Sequence, residues 1–446
     1  MIKTFRQIVS RVAKPHATTP TESSEEVGDT GSTRKSLAAL RTNSRYRKLF
    51  AARTASVFGS QFTSLALAFG VLGLPGHNNA ATLGLVFAAA STGTVLFLLI
   101  GGVLADRIRR DRLIMGSDFL SGLSVAATAT LFASHTANGL NLASLAFLSG
   151  GAFAVRSPAL TGLLPSILED VQIQAGNALL RLSNNMASLI GPAIAAIVIA
   201  TTGVATALFL DAASFIVSIA FVSGIRLTTP ISSGFSMMTD LRLGWKAFVA
   251  NQWVWVVVAG FMIFNAASAG VFAVLGPIVM KSHFDGARGW AVVTTTLAVG
   301  SIIGAGVSIR LRPQRPMVVG IAAVSPLVVF ILALAAPLPL VVISMCGFAY
   351  AIGSDIFGVQ WESALQRHIE SHLISRVSSY DWMGSLLATP IGLSVTGLLA
   401  SHLGAKTTII GAAGLCGISL VAMLATPSVR TMKSHPASDS ESERTV

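Results

Sequence analysis

Five acidic side chains stand inside long apolar stretches of this 446-residue chain: Asp118, Asp211, Asp355, Glu362 and Asp381. The rest of its 19 Asp and Glu residues fall in polar tails or in turns between apolar stretches. A carboxyl group in hydrocarbon is costly unless it is paired, hydrated or protonated, so each of the five is a candidate for holding a proton or a cation. Asp355 is the candidate best suited to carry a proton, with Glu362 two helical turns further along the same face and Asp118 as a third. Arg156 is the lone arginine of its apolar stretch. Asp118, at similar depth on an adjacent helix, is its favoured structural partner, and a fixed pair with Asp355 across a cavity is the competing reading. Asp211 reads as a packing or capping group, and Asp381 as part of a network with Arg376. His368 and His372 have a spacing that can hold zinc on a helix, but their third ligand would be Glu370 in a charged turn, so no metal site is predicted. No Gly-rich loop followed by Lys-Ser or Lys-Thr occurs, which argues against ATP-driven chemistry; no cofactor is predicted.

The elements that must position these groups follow from composition. With 52% hydrophobic and 11% charged residues, the chain falls well below the charged fraction of soluble domains, about 25%. Between residues 50 and 426, apolar runs of about 20 residues recur twelve times, each long enough to cross a hydrocarbon core as a helix. The predicted class is therefore an all-α polytopic membrane protein with twelve transmembrane helices. The formal net charge of +12 resides mostly in the amino-terminal tail and in short turns. That is the pattern of topology signals rather than of nucleic-acid binding. Counting Lys and Arg by loop places both termini on the cytoplasmic side of a cell membrane, leaving only Lys281, Arg288 and Lys406 outside. Cys346 and Cys416 lie in apolar runs and imply no disulfide. Residues 1–45 are too polar to bury a core and read as a disordered cytoplasmic tail.

Gly101, Arg107, Arg109 and Arg112 recur as Gly304, Arg310, Arg312 and Arg315 at one constant offset. Such a repeat predicts two six-helix halves, residues 46–226 and 253–428, joined by a cytoplasmic linker 227–252 and followed by a tail 429–446. The substrate path then lies near mid-membrane between the halves. Gln61, Asn184, Asn185, Asn265 and Gln360, among many Phe and Met residues, are candidates for lining it and suit a neutral or weakly cationic lipophilic molecule.

The stretch Gly101-Gly-Val-Leu-Ala-Asp106-Arg107-Ile-Arg109-Arg110-Asp111-Arg112 resembles the loop between helices two and three of the major facilitator superfamily. Asn43-Ser-Arg-Tyr-Arg, Pro158-Ala159, Asp211-Ala-Ala-Ser-Phe215 and Arg376-Val-Ser-Ser-Tyr-Asp381-Trp are similar to its enterobactin-exporter-like, drug-efflux branch. The resemblance implies a proton-coupled secondary exporter of a drug, secondary metabolite or siderophore, acting as a monomer on a small molecule in a lipid membrane. It also implies a gating role for Gly101, Gly102, Asp106, Arg107, Arg109 and Arg110. Asp106 would latch against the positive amino-terminal end of helix eleven. Gly191-Pro192 matches the core of an antiporter pattern, although Ala187 and Ala195-Ala196 replace its outer glycines, and Arg109 replaces a glycine of the loop motif. Proton-coupled uptake is the alternative reading, and a polytopic membrane enzyme a more distant one.

Overall fold

The computed structural model describes residues 40, 42–75, 79–225, 245–336 and 338–434, and every regular element among them is helical. Six helices form the first repeat: α1 Ser44–Leu72, α2 Asn79–Arg107, α3 Arg110–Ala133, α4 Gly139–Leu163, α5 Asp170–Thr202 and α6 Val204–Ser223. Six more form the second. α7 runs from Gln252–Gly270 through a π turn, Val271–Leu275, into Gly276–His283, and α8 is Ala287–Arg310. α9 consists of Pro316–Val324 and Pro326–Ala335, and α10 is Leu340–His368. α11 consists of Ser371–Leu387 and Thr389–Leu403, and α12 is Ala405–Ala425.

Proline explains the breaks. Its ring clashes with the carbonyl four residues earlier and it lacks an N–H, so Pro326 interrupts α9 at Ser325 and Pro390 interrupts α11 at Ala388. The π turn of α7 ends immediately before Gly276-Pro277 and absorbs the same conflict by widening one turn. Pro158 and Pro192, by contrast, sit inside uninterrupted helices. Gly203 (φ 92°) and Gly404 (φ 82°) make single-residue turns between α5 and α6 and between α11 and α12. Both need the left-handed region that glycine enters freely, and they occupy matching places in the two repeats.

Eleven of the helices are both long and apolar enough to cross a membrane. α4 is as long, at 25 residues, but carries four glycines and Arg156. Several helices outrun their apolar cores. α1 begins at Ser44 rather than near residue 50, α5 at Asp170 rather than 180, and α11 at Ser371 rather than 378. The extra turns carry Arg, Lys, Ser and Gln, which an apolar run does not register but a helix end in water accommodates.

Within each repeat, glycine sets the closest approach. A Cβ on Gly101 would lie 2.8 Å from the Ala154 carbonyl oxygen of α4, and one on Gly304 would lie 2.6 Å from the Ile352 carbonyl oxygen of α10. The repeated glycines thus seat α2 on α4 and α8 on α10, backbone against backbone. Between repeats, α5 meets α8, and α2 meets the second segment of α11. The loops bearing Arg109 to Arg112 and Arg310 to Arg315 share one end of the bundle, here termed the basic end. At the opposite end Gly84 and Gly397 interlock, a Cβ on Gly84 lying 2.8 Å from the Gly397 Cα. Nearer the basic end, the first segment of α11 barely touches α2.

Candidate functional site

Where the repeats face each other lies a chamber of about 490 Å³. Gln61 of α1, Ser188 and Pro192 of α5, Phe272 of α7, Ser301 of α8 and Asp355 of α10 all contribute to its wall. Asp355 is the one carboxylate among its described lining residues. It accepts a hydrogen bond from the Ser301 hydroxyl and has no ion pair among the described residues, whose pairs are Arg109–Asp111 and Arg156–Asp118. α10 continues to His368, so Asp355 sits about 20 Å from that helix end rather than the 10 Å expected from the apolar run alone.

Arg156 is committed elsewhere. Its Nε lies 2.6 Å from Asp118 Oδ1, an ion contact lacking the alignment of an N–H···O hydrogen bond. Asp118 Oδ2 accepts a 2.6 Å bond from the Ser218 hydroxyl of α6. Asp118 is fully buried and Arg156 nearly so, so this cluster ties α3, α4 and α6 together. The pairing of Arg156 with Asp355 is not formed. Asp211 is buried eight residues into α6, where Thr63 of α1 and Ser214 donate to it at 2.5 and 3.1 Å; it packs and does not cap.

A second chamber of about 510 Å³ lies among α7, α9, α10 and α11. It holds Glu362, Asn265 and Asp381, and it meets the first at Tyr350 and Ser354, which line both. Asp381 accepts from the Trp361 indole at 2.8 Å and from the Ser385 hydroxyl at 3.4 Å. The side chain of Arg376, its expected partner, lies outside the described residues. Glu362 therefore belongs to a different chamber from Asp355, although the two share a helix face.

Of the polar residues expected to line the path, Gln61 lines the chamber between the repeats and Asn265 the one within the second repeat. Gln360 lines neither: it is buried and donates to the Leu311 carbonyl oxygen at the end of α8. Asn184 and Asn185 line neither chamber; Ser188, one turn further along α5, faces the first in their place. Gly191 is filled by Gln61, whose Cγ would lie 2.5 Å from an added Cβ, so the glycine of the Gly-Pro pair lets α1 approach α5 while Pro192 faces the chamber. The side chains of Gly102, Asp106 and Arg107 lie outside the described residues, and with them the proposed latch. Arg109 forms a two-point pair with Asp111, at 2.6 and 3.2 Å, and Arg110 donates to Ser166 at 3.1 Å, anchoring the loop to the turn after α4. His368 bonds the Ala364 carbonyl at 3.1 Å.

Sequence reasoning passed over Ser301, Trp290, Tyr350 and Phe272. One signal for Ser301 was present: it precedes the repeat glycine Gly304 by a turn, and a Cβ on Gly304 would lie 3.1 Å from the Asp355 Cβ. The repeat glycine therefore marks the part of α8 that lies against Asp355.

Residues 49–380 match the Major Facilitator Superfamily, and the chain belongs to it. It is 27% identical over 381 residues to the multidrug efflux pump Tap of Mycolicibacterium fortuitum, covering 81% of this chain and 90% of that protein. It is 24% identical over 383 residues to the multidrug efflux pump Tap of Mycobacterium tuberculosis, covering 80% and 89%. A bacterial homologue of the iron transporter ferroportin superposes with a TM-score of 0.70 at 14% identity, over 86% of this chain and 99% of that one. The chain is thus a multi-pass membrane transporter of small molecules, not an enzyme, with relatives in the drug-efflux branch, as the loop motif led one to expect.

Proposed function

We propose that this transporter exports an amphiphilic small molecule in exchange for protons by alternating access, with Asp355 as the proton carrier. The observation that carries the reading is the placement of Asp355: a carboxylate without an ion pair among the described residues, on the wall where α1 and α5 face α8 and α10. A group there meets substrate and proton in one space, so protonation and substrate binding can exclude one another, and taking up a proton accompanies release of substrate. The relatives named as multidrug efflux pumps support the outward direction. Reading the basic end as cytoplasmic, in a cell membrane with both termini inside, rests on the Lys/Arg asymmetry. The tight Gly84–Gly397 contact at the other end then corresponds to an inward-open form of the monomer. Asp118 and Arg156 serve as structural partners, and Asp106 as a latch on the cytoplasmic side. Uptake by symport is the competing reading. A deletion strain profiled for drug sensitivity and for metabolites retained in the cell separates the two: export predicts hypersensitivity or retention, and uptake predicts resistance or loss of retention.

A further inference from the structure

The chamber among α7, α9, α10 and α11 is not the space between the repeats. Every residue of its wall comes from the second repeat. Its two acids, Glu362 and Asp381, have no Lys or Arg beside them in the described wall. Trp361 holds Asp381 in place through its indole N–H. Phe261 stacks on Phe357 with ring centres 4.2 Å apart, and Phe357 stacks in turn on Trp361 at 6.1 Å. Trp382, one residue after Asp381, stays 66% exposed while lining the chamber. Aromatic faces attract a cation through their quadrupole, and two nearby carboxylates add the charge that a lipophilic cation lacks in hydrocarbon.

We infer that this chamber is a second ligand site, an antechamber that takes a monovalent aromatic or lipophilic organic cation on its way to the central chamber. Three features fit it for that role. Its volume matches that of the central chamber and is ample for a drug-sized molecule. Glu362 is seven residues, about 10 Å, nearer the basic end than Asp355. Tyr350 and Ser354 line both chambers, so the two adjoin along α10, and a ligand in one lies next to the other. The role as an antechamber rests on the export reading; binding itself does not.

The test uses the purified full chain in nanodiscs of zwitterionic lipid without a gradient, with radiolabelled tetraphenylphosphonium as probe and neutral triphenylphosphine oxide as its uncharged counterpart. Glu362→Gln together with Asp381→Asn removes both charges while keeping the shape and one acceptor oxygen of each group, so it is expected to weaken tetraphenylphosphonium binding at least tenfold while leaving triphenylphosphine oxide unchanged. Asp285→Asn, an exposed acid in the turn between α7 and α8 that lines neither chamber, is expected to hold the phosphonium affinity within twofold. Undiminished phosphonium binding in the double variant would overturn the site. So would a loss falling equally on both probes, or a loss in Asp285→Asn as large as in the double variant. Glu362→Gln alone, at an exposed side chain, provides a version of the test in which folding is not at risk. Failure of transport coupling leaves these binding results untouched, so the two readings fail separately.

Discussion

Asp118 and Asp355 are both acids within membrane helices, and their surroundings assign them opposite tasks. Asp118 is fully buried against Arg156 and Ser218. Arg156→Met alone strands that carboxylate, and breaking such a pair costs about 3–5 kcal/mol. A fall of several degrees in the thermal midpoint of the purified protein is expected, with most of it recovered in Asp118→Leu/Arg156→Met, where neither charge remains. A double variant as unstable as the single would show that the cluster does more than pair charges. At this scale the sequence placed Asp118 and Arg156 at similar depth as structural partners, and they are in contact, but it did not fix which polar groups face the chambers. Depth along a helix follows from counting residues, whereas the direction a side chain faces depends on how each helix is rotated in the bundle. The same limit put Gln360, Asn184 and Asn185 on the path and left out Ser188 and Ser301.

At the scale of elements, the interlock of α2 with α11 is, under the proposed alternating access, the joint that opens when the chambers turn to the other side. A Cβ at residue 397 would lie 2.9 Å from Gly84 Cα and 2.8 Å from the Ala80 carbonyl oxygen, atoms of backbone that cannot swing aside. Gly397→Val is therefore expected to prise this end apart, so that a cysteine placed at Phe87, on the central wall, reacts several-fold faster with an impermeant reagent added from that side. Lys281 of α7 donates to the Leu72 carbonyl at the end of α1, where a cation meets the negative end of a helix, an interaction worth about 0.3–2 kcal/mol. Lys281→Met should shift accessibility the same way by a smaller factor. Asp106→Asn is expected to act at the other end, slowing transport and raising cytoplasmic-side accessibility with substrate affinity unchanged. A loss of affinity with no change in accessibility would remove the latch. The loop motif and the repeat glycines were legible because glycine and arginine keep their positions when the surrounding apolar residues vary. Gly84–Gly397 was not, since it joins residues over 300 positions apart with no shared motif.

For the whole molecule, helix number, the internal repeat and membrane residence could all be read from composition and periodicity. Helix ends could not, because a helix continues past the hydrocarbon wherever polar residues also favour it. The orientation assigned from Lys and Arg predicts that cysteines at His77 and Gly139 react with impermeant reagents from outside intact cells and that one at Ser236 does not. The reverse pattern would invert the reading of every chamber.

Gradient-driven accumulation of ethidium in everted vesicles, compared between wild type and Asp355→Asn at equal expression, addresses the central claim most directly. The account predicts uncoupler-sensitive accumulation by the wild type and none above vector for the variant, with downhill exchange retained. Accumulation by Asp355→Asn at the wild-type rate would contradict it.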